Sequence, residues 1–157
     1  MNPLEIIQTC YHPESRAYEI LITHSRSVAD KAVAIAETHP QMELDIPFIL
    51  HDIGIFLCHA PEIDCHGEAP YICHGYLGAD LLRKKGYPRH ALVCERHTGT
   101  GLSPQLIRQR NLPVPLREMR PQSIEEQLIC FADKFFSKTK LDREKPIEKI
   151  RKGLAAY

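Results

Sequence analysis

The stretch Ile49-Leu50-His51-Asp52-Ile53-Gly54 brings an imidazole and a carboxylate together at the end of an apolar run, and a glycine then lets the backbone turn away. The residues before it predict a helix from Ile46 to Ile53, with Asp45 as N-cap and Pro47 in the first turn. Such a helix has almost no polar face, so it belongs at the centre of the fold, and His51 and Asp52 enter the interior from its end. Neighbouring helix residues point about 100° apart, so the pair can serve one purpose only if something sits between them. A metal ion fits that place, since histidine supplies a nitrogen ligand and aspartate an oxygen that can bridge two ions. A buried carboxylate without such a partner is costly. The rest of the chain therefore has to fold so that other elements deliver further ligands to this point.

Four other segments carry suitable groups at inward positions. The first strong helix is predicted from about Arg16 to Glu37, where Ile20, His24, Val28 and Ala32 recur at i, i+4 spacing, and His39-Pro40 ends it. A second is predicted from about Tyr71 to Lys85, with His74, Leu77 and Leu81 on one stripe and Gly86 as its stop. Pro88 opens a third, in which His90, Val93, Cys94 and His97 share a face; His90, one turn from the start, reads as structural. Ser123 and Glu126 form a capping box for the last, whose Leu128, Ile129, Ala132, Phe135 and Phe136 surround Asp133. Each polar group alone has a bland explanation as a satisfied core residue. Six of them on the apolar stripes of one small helical chain make a metal centre: His24, His51, Asp52, His74, His97 and Asp133. The expected fold is an all-α bundle of about five core helices.

With 157 residues, 43% of them apolar, the chain suits a single domain over 1–157 with its core at about 16–140. Twenty basic side chains balance twenty acidic ones, so no overall basic field attracts a nucleic-acid polymer. No apolar run approaches the ~18 residues of a membrane span, and the start lacks a signal-like h-region, so a cytoplasmic protein with no membrane partner is expected. Six dispersed cysteines never form C-x-x-C and read as reduced, buried thiols. The dipeptides Cys58-His59, Cys65-His66 and Cys73-His74 suggest a zinc module as a weaker alternative, because their separations lack a tight knuckle. The irregular stretch from Phe56 to Pro70 is long enough to suggest a lid that carries His59, His66 and Glu68. Residues 112–122, with three prolines, read as a surface loop, and the basic segment from Lys138 to Tyr157 as a solvated helical face. Oligomeric state leaves no mark in the sequence.

The order H…HD…H…H…D, with HDIG at its heart and Ala132-Asp133-Lys134 near the end, resembles the HD-domain superfamily of metal-dependent phosphohydrolases over roughly residues 16 to 140. The resemblance implies that His24, His51, Asp52 and Asp133 bind one metal while Asp52 bridges to a second held by His74 and His97. It implies two divalent transition metals, iron or manganese with zinc as a further option, acting on a water they share to cleave a phosphoester or phosphoanhydride. Asp52 and Lys134 are then the catalytic candidates, Arg96 and Thr98 the substrate-binding ones, and the partner is a small phosphorylated substrate such as a nucleotide. Many two-metal HD phosphodiesterases have a lysine directly after HDIG, where this chain has Ile55, and its Gly86-Tyr87-Pro88 lies in the wrong register for a GYP segment. The pattern is closer to the small HD hydrolases that include symmetrical dinucleoside tetraphosphate hydrolases. HD-fold mixed-valent di-iron oxygenases share the same ligand order and form the alternative.

Overall fold

Helix-forming stripes separated by capping and breaking residues give a helical protein, and the computed structural model, which describes residues 2–39 and 50–155, bears out the all-α fold. Seven α-helices run among the described residues: α1 Pro3–Gln8, α2 Arg16–Glu37, α3 His74–Lys84, α4 Pro88–Glu95, α5 Pro104–Arg110, α6 Ile124–Asp133 and α7 Ile147–Ala155. The ends follow side-chain chemistry. Ser15 Oγ accepts from Tyr18 N at 3.2 Å to start α2, and Ser123 Oγ accepts from Glu126 N at 3.2 Å to start α6. Each bond satisfies an amide that the first turn of a helix leaves unpaired.

The predicted helix through His51 lies partly outside the described residues, and its described end is not α-helical. His51 and Asp52 occupy a turn, and Ile53–Leu57 is a short 3-10 helix. Two features hold this segment. The Tyr11 hydroxyl donates to Ile53 O at 2.6 Å and accepts from Phe56 N at 3.1 Å. On its other side it packs on α3 so closely that a Cβ at Gly54 would stand 2.2 Å from His74 O, and one at Gly78 would stand 2.9 Å from Gly54 N. Glycine is required at both positions by the closeness of two backbones.

Two main cores flank this segment. Ile7, Leu21, Leu50, Ile53, Ile55 and Leu82 fill one, while Val28, Ala32, Val93, Leu128 and Ile129 join α2, α4 and α6 in the other. Between α3 and α4, the buried Glu95 carboxylate is held by Arg83 at 3.1 Å and by Arg117.

The stretch from Phe56 to Pro70 is not a loose lid. It contains a two-residue antiparallel hairpin, β1 (His59–Ala60) with β2 (Cys65–His66), and Gly67 N donates to Cys58 O at 3.0 Å. Asp64, in the left-handed region at φ 58°, accepts from Ala17 N at 3.2 Å and so ties the hairpin to the start of α2. Backbone pairing that sequence periodicity does not record has ordered this stretch. Residues 112–122 also depart from a plain surface loop, because Leu102 and Met119 exchange two backbone bonds and Met119 is buried. Among the described residues no helix is long and apolar enough to cross a membrane.

Candidate metal centre

The packing of α2 against α6 brings His24 to Asp133, and the packing of α3 against α4 brings His74 to His97. His51 and Asp52 enter between the two pairs from the turn before the 3-10 helix. Among the described residues, two groups of side chains are close enough for each to hold one ion. They are His24, His51, Asp52 and Asp133, and then Asp52, His74 and His97. All six positions expected from the sequence thus converge.

Asp52 lies at the centre and is fully buried. Its Oδ2 is 3.1 Å from Nε2 of both His24 and His51, and its Oδ1 is 3.3 Å from His74 Nε2 and 3.1 Å from His97 Nε2. Each oxygen therefore faces a different pair of imidazoles. Neither oxygen makes a well-directed hydrogen bond to these ring nitrogens, and Oδ2 is ion-paired with Lys138 at 2.8 Å. Asp133 Oδ1 closes the first group, at 2.9 Å from His24 Nε2 and 3.4 Å from His51 Nε2.

The second pair is oriented from behind. His74 Nδ1 donates to Tyr71 O at 2.5 Å, and His97 Nδ1 donates to Cys94 O at 2.6 Å. With Nδ1 carrying the proton, each Nε2 presents a lone pair, and the two stand 3.0 Å apart. Backbone carbonyls behind the ring, fixing its tautomer and angle, are the usual support of a metal-ligating histidine. Two nitrogen lone pairs facing each other beside a carboxylate oxygen repel unless a cation lies between them. The donor set, four imidazoles and two carboxylates without a thiolate, suits divalent transition metals.

Electrostatics agree. Burial alone would raise the Asp52 carboxyl, but Lys138 and then His51 outweigh it and hold it well below the usual carboxylate range. Asp133 is lowered likewise, against burial, by bonds from His24 and His51. Burial pushes His97 down to about 4, so its ring is neutral near pH 7. His51 goes the other way, to about 10, because Asp52 and Asp133 together overcome the penalty of burial. A cation held among those three groups would take the place of that proton.

The remaining candidates are placed differently. Lys134 Nζ donates to Cys130 O at 2.8 Å and His97 O at 3.2 Å, which ties the end of α6 to the segment after α4 and turns the ammonium to carbonyls. Arg96 pairs with the buried Glu126 at 2.6 Å, so its guanidinium anchors α4 to α6 in place of a ligand. Thr98 is half-buried against Gly75, one residue past His74. His59 and His66 are exposed on the hairpin, and His66 bonds Asp64 at 2.9 Å. No cysteine joins either ligand group among the described residues, and all six thiols are free, so the Cys-His dipeptides form no zinc module there. His90 packs edge-on against Tyr87.

Two residues at the site escape sequence reasoning. Lys138, assigned above to a solvated face, has a side chain only 13% exposed and reaches Asp52 Oδ2 at 2.8 Å. Tyr71 stacks on His74 with ring centroids 4.5 Å apart. Tyr71 had a faint signal, an aromatic three residues before a ligand. Lys138 had none, since it lies outside any periodic element.

Helices that converge on a buried His/Asp cluster with a shared central aspartate define a helical protein with a candidate metal site. The model of the HD domain matches residues 21–137, which include all six groups, and the chain belongs to the HD-domain family. It is 32% identical over 140 residues to a tRNA (cytidine(56)-2'-O)-methyltransferase of Thermoplasma volcanium, covering 87% of this chain and 38% of that protein. A protein of the same name from Picrophilus torridus is 29% identical over 124 residues, covering 77% of this chain and 33% of the relative. An uncharacterised protein of Methanocaldococcus jannaschii is 29% identical over 145 residues and is 78% covered. The chain thus spans about a third of the length of the methyltransferases that it matches. No solved structure gives a significant match.

Proposed function

We propose that this protein is a metal-dependent phosphohydrolase that cleaves a phosphoester or phosphoanhydride of a nucleotide or other small phosphorylated metabolite. The observation that carries the reading is the division of Asp52, with one oxygen toward His24 and His51 and the other toward His74 and His97. That arrangement suits two ions on one bridging carboxylate. His24, His51 and Asp133 complete the first position, and His74 with His97 completes the second. Iron and manganese match these donors best, with zinc as a further option.

When bound, such a pair supplies Lewis acidity toward phosphoryl oxygens and a nucleophilic water near neutral pH. The protein's own groups do the rest. Asp52 and Asp133 stay ionised and offset positive charge, so the neutral His97 ring keeps its lone pair directed at the centre. Tyr71 and Cys94 carbonyls keep both rings of the second pair aimed. Asp133 lies at the accessible side, its side chain 18% exposed against 0–6% for the other five, so substrate approaches from there. Thr98 remains a candidate contact on that substrate.

The likeness to parts of two proteins named tRNA methyltransferases favours a substrate of nucleotide chemistry. Methyl transfer itself is not carried over, because the matched span is 38% or less of those proteins. The deciding experiment offers nucleotides, dinucleoside polyphosphates, phosphomonoesters and cyclic dinucleotides to protein loaded with iron, manganese or zinc, with and without oxygen. Phosphate or nucleotide release in the absence of oxygen is the expected result. Turnover that occurs only with oxygen, and consumes it, replaces this reading with the di-iron oxygenase alternative.

A further inference from the structure

Lys138 is a charged side chain that the chemistry above leaves without a task. It sits in the irregular segment between α6 and α7, yet its Nζ lies 2.8 Å from the carboxylate shared by both ligand groups. Tyr71 supports it, with Nζ 5.7 Å from the ring centroid, and the same phenol ring is stacked on His74. Farther out, Lys138 lines a cleft of about 390 Å³ with Arg16, Glu19 and Ile20 of α2 and with Lys140 and Asp142. One side chain thus runs from a cleft whose other charges are two cations and two carboxylates to the centre of the cluster. The other basic candidates are committed elsewhere, Lys134 to two carbonyls and Arg96 to Glu126.

The placement is paradoxical for a residue that only supports metal binding. An ammonium beside a carboxylate shared by two dications repels both ions, and the repulsion is large where little water screens it. A lysine there opposes loading of the centre. The sign reverses once an anion lies over the ions, because a phosphoryl group accepts the ammonium's hydrogen bonds while the ions hold its other oxygens.

We propose that Lys138, steadied by Tyr71, is the substrate-contacting cation of this site: it donates to a non-bridging oxygen of the phosphoryl group under attack. The inference rests on the hydrolase reading. It assigns Lys138 the role for which Lys134 and Arg96 were candidates in the sequence.

The reasoning makes two predictions of opposite sign. Removing the charge should strengthen metal binding and weaken phosphate binding, whereas a lysine that merely braces the fold would weaken both when removed. The test uses wild type with Lys138→Met, Lys138→Gln and Lys138→Arg, each checked for its helical circular dichroism. Manganese affinity is measured by competition with a chelator in the absence of phosphate. Inorganic phosphate affinity of the manganese-loaded protein is measured by calorimetry, and kcat and KM on any substrate that wild type turns over. The Met and Gln variants should bind manganese at least as tightly as wild type. They should bind phosphate ~10- to 100-fold more weakly, the range for losing a charge-assisted hydrogen bond. Lys138→Arg should recover much of the phosphate affinity. Phosphate affinity within ~2-fold of wild type in both neutral variants, or joint loss of manganese and phosphate affinity, overturns the assignment. A wild type that binds manganese but neither binds phosphate nor releases it from any substrate overturns the hydrolase reading itself, and the role of Lys138 with it.

Discussion

Replacing Gly54 with alanine tests whether backbone spacing, more than ligand identity, sets the second half of the cluster. The added Cβ would stand 2.2 Å from His74 O, 2.6 Å from Gly78 N and 2.9 Å from Gly78 Cα, all backbone atoms that cannot rotate away. Ordinary contact begins near 3.4 Å, so α3 and the 3-10 helix must separate by about 1 Å or more. His74 is the first residue of α3, and Asp52 immediately precedes the 3-10 helix, so the 3.3 Å between His74 Nε2 and Asp52 Oδ1 widens by a similar amount. An ion needs donors at about 2.0–2.2 Å on each side and tolerates little of that. Overpacking of this kind costs about 3 kcal/mol, which for a chain of this length lowers Tm by roughly 6–12 °C. Scanning calorimetry reads the stability, and elemental analysis of protein purified without oxygen reads the metal content. The expected protein is less stable, keeps the ion of the His24 group and loses the other. A Gly54→Ala protein that melts within ~2 °C of wild type with both ions bound would refute the spacing argument.

Asp52→Asn keeps the shape of the bridge but removes its charge, and turnover should fall at least ~10³-fold with circular dichroism unchanged; near-normal turnover would mean that the bridge is misassigned. His90→Ala, at a residue that packs against Tyr87 and belongs to neither ligand group, should leave turnover close to wild type in the same assay. Arg96→Ala strands the buried Glu126 carboxylate and should cost about 2–3 kcal/mol in urea unfolding while activity per folded molecule is retained; a deep loss of kcat without loss of stability would restore Arg96 as a substrate contact. Burial raises the Glu126 carboxyl, but the bond from Arg96 and those from the α6 N-terminus outweigh it, so its folded value is depressed. Its stabilising effect is therefore fully present above the ordinary glutamate value of 4.5 and is lost as pH falls through the lower folded value. Acid unfolding of Glu126→Gln should be correspondingly flatter in that window, and an unchanged acid limb would refute the assignment.

How much of this was legible in the sequence depends on periodicity. His24, His74 and Asp133 sit on strong apolar stripes, so their inward direction could be read, and the capping box at Ser123 agrees with the observed start of α6. The path through His51 and Asp52 could not be read. Its apolar run suggested an α-helix, whereas the described part is a turn and a 3-10 helix held by Tyr11, a contact across 42 residues. The hairpin of residues 59–66 was missed because two paired residues on each side are too few for an alternating pattern, and the tie from Asp64 to Ala17 is a tertiary bond. Lys134 and Arg96 drew attention because they adjoin ligands in sequence. Their side chains are taken up by other partners, Cys130 and His97 carbonyls for Lys134 and Glu126 of α6 for Arg96, while Lys138, outside any helix, points at the site.

The two halves of the cluster draw on different kinds of information. The rings of His74 and His97 are each aimed by a carbonyl three residues earlier in their own chain segment, and the two residues are only 23 apart. His24 and Asp133 are 109 residues apart and meet only when the first long helix closes on the sixth. Short-range arrangements close early and at small entropic cost, whereas distant ones wait for most of the chain to be in place. The α3–α4 hairpin can therefore present its pair of imidazoles while the chain is still partly open, and the His24–Asp133 half is the last to form and the first to part in a local opening. Amide exchange along the chain should show this as an order of events, with the amides of α3 and α4 protected before those that clasp α2 to α6.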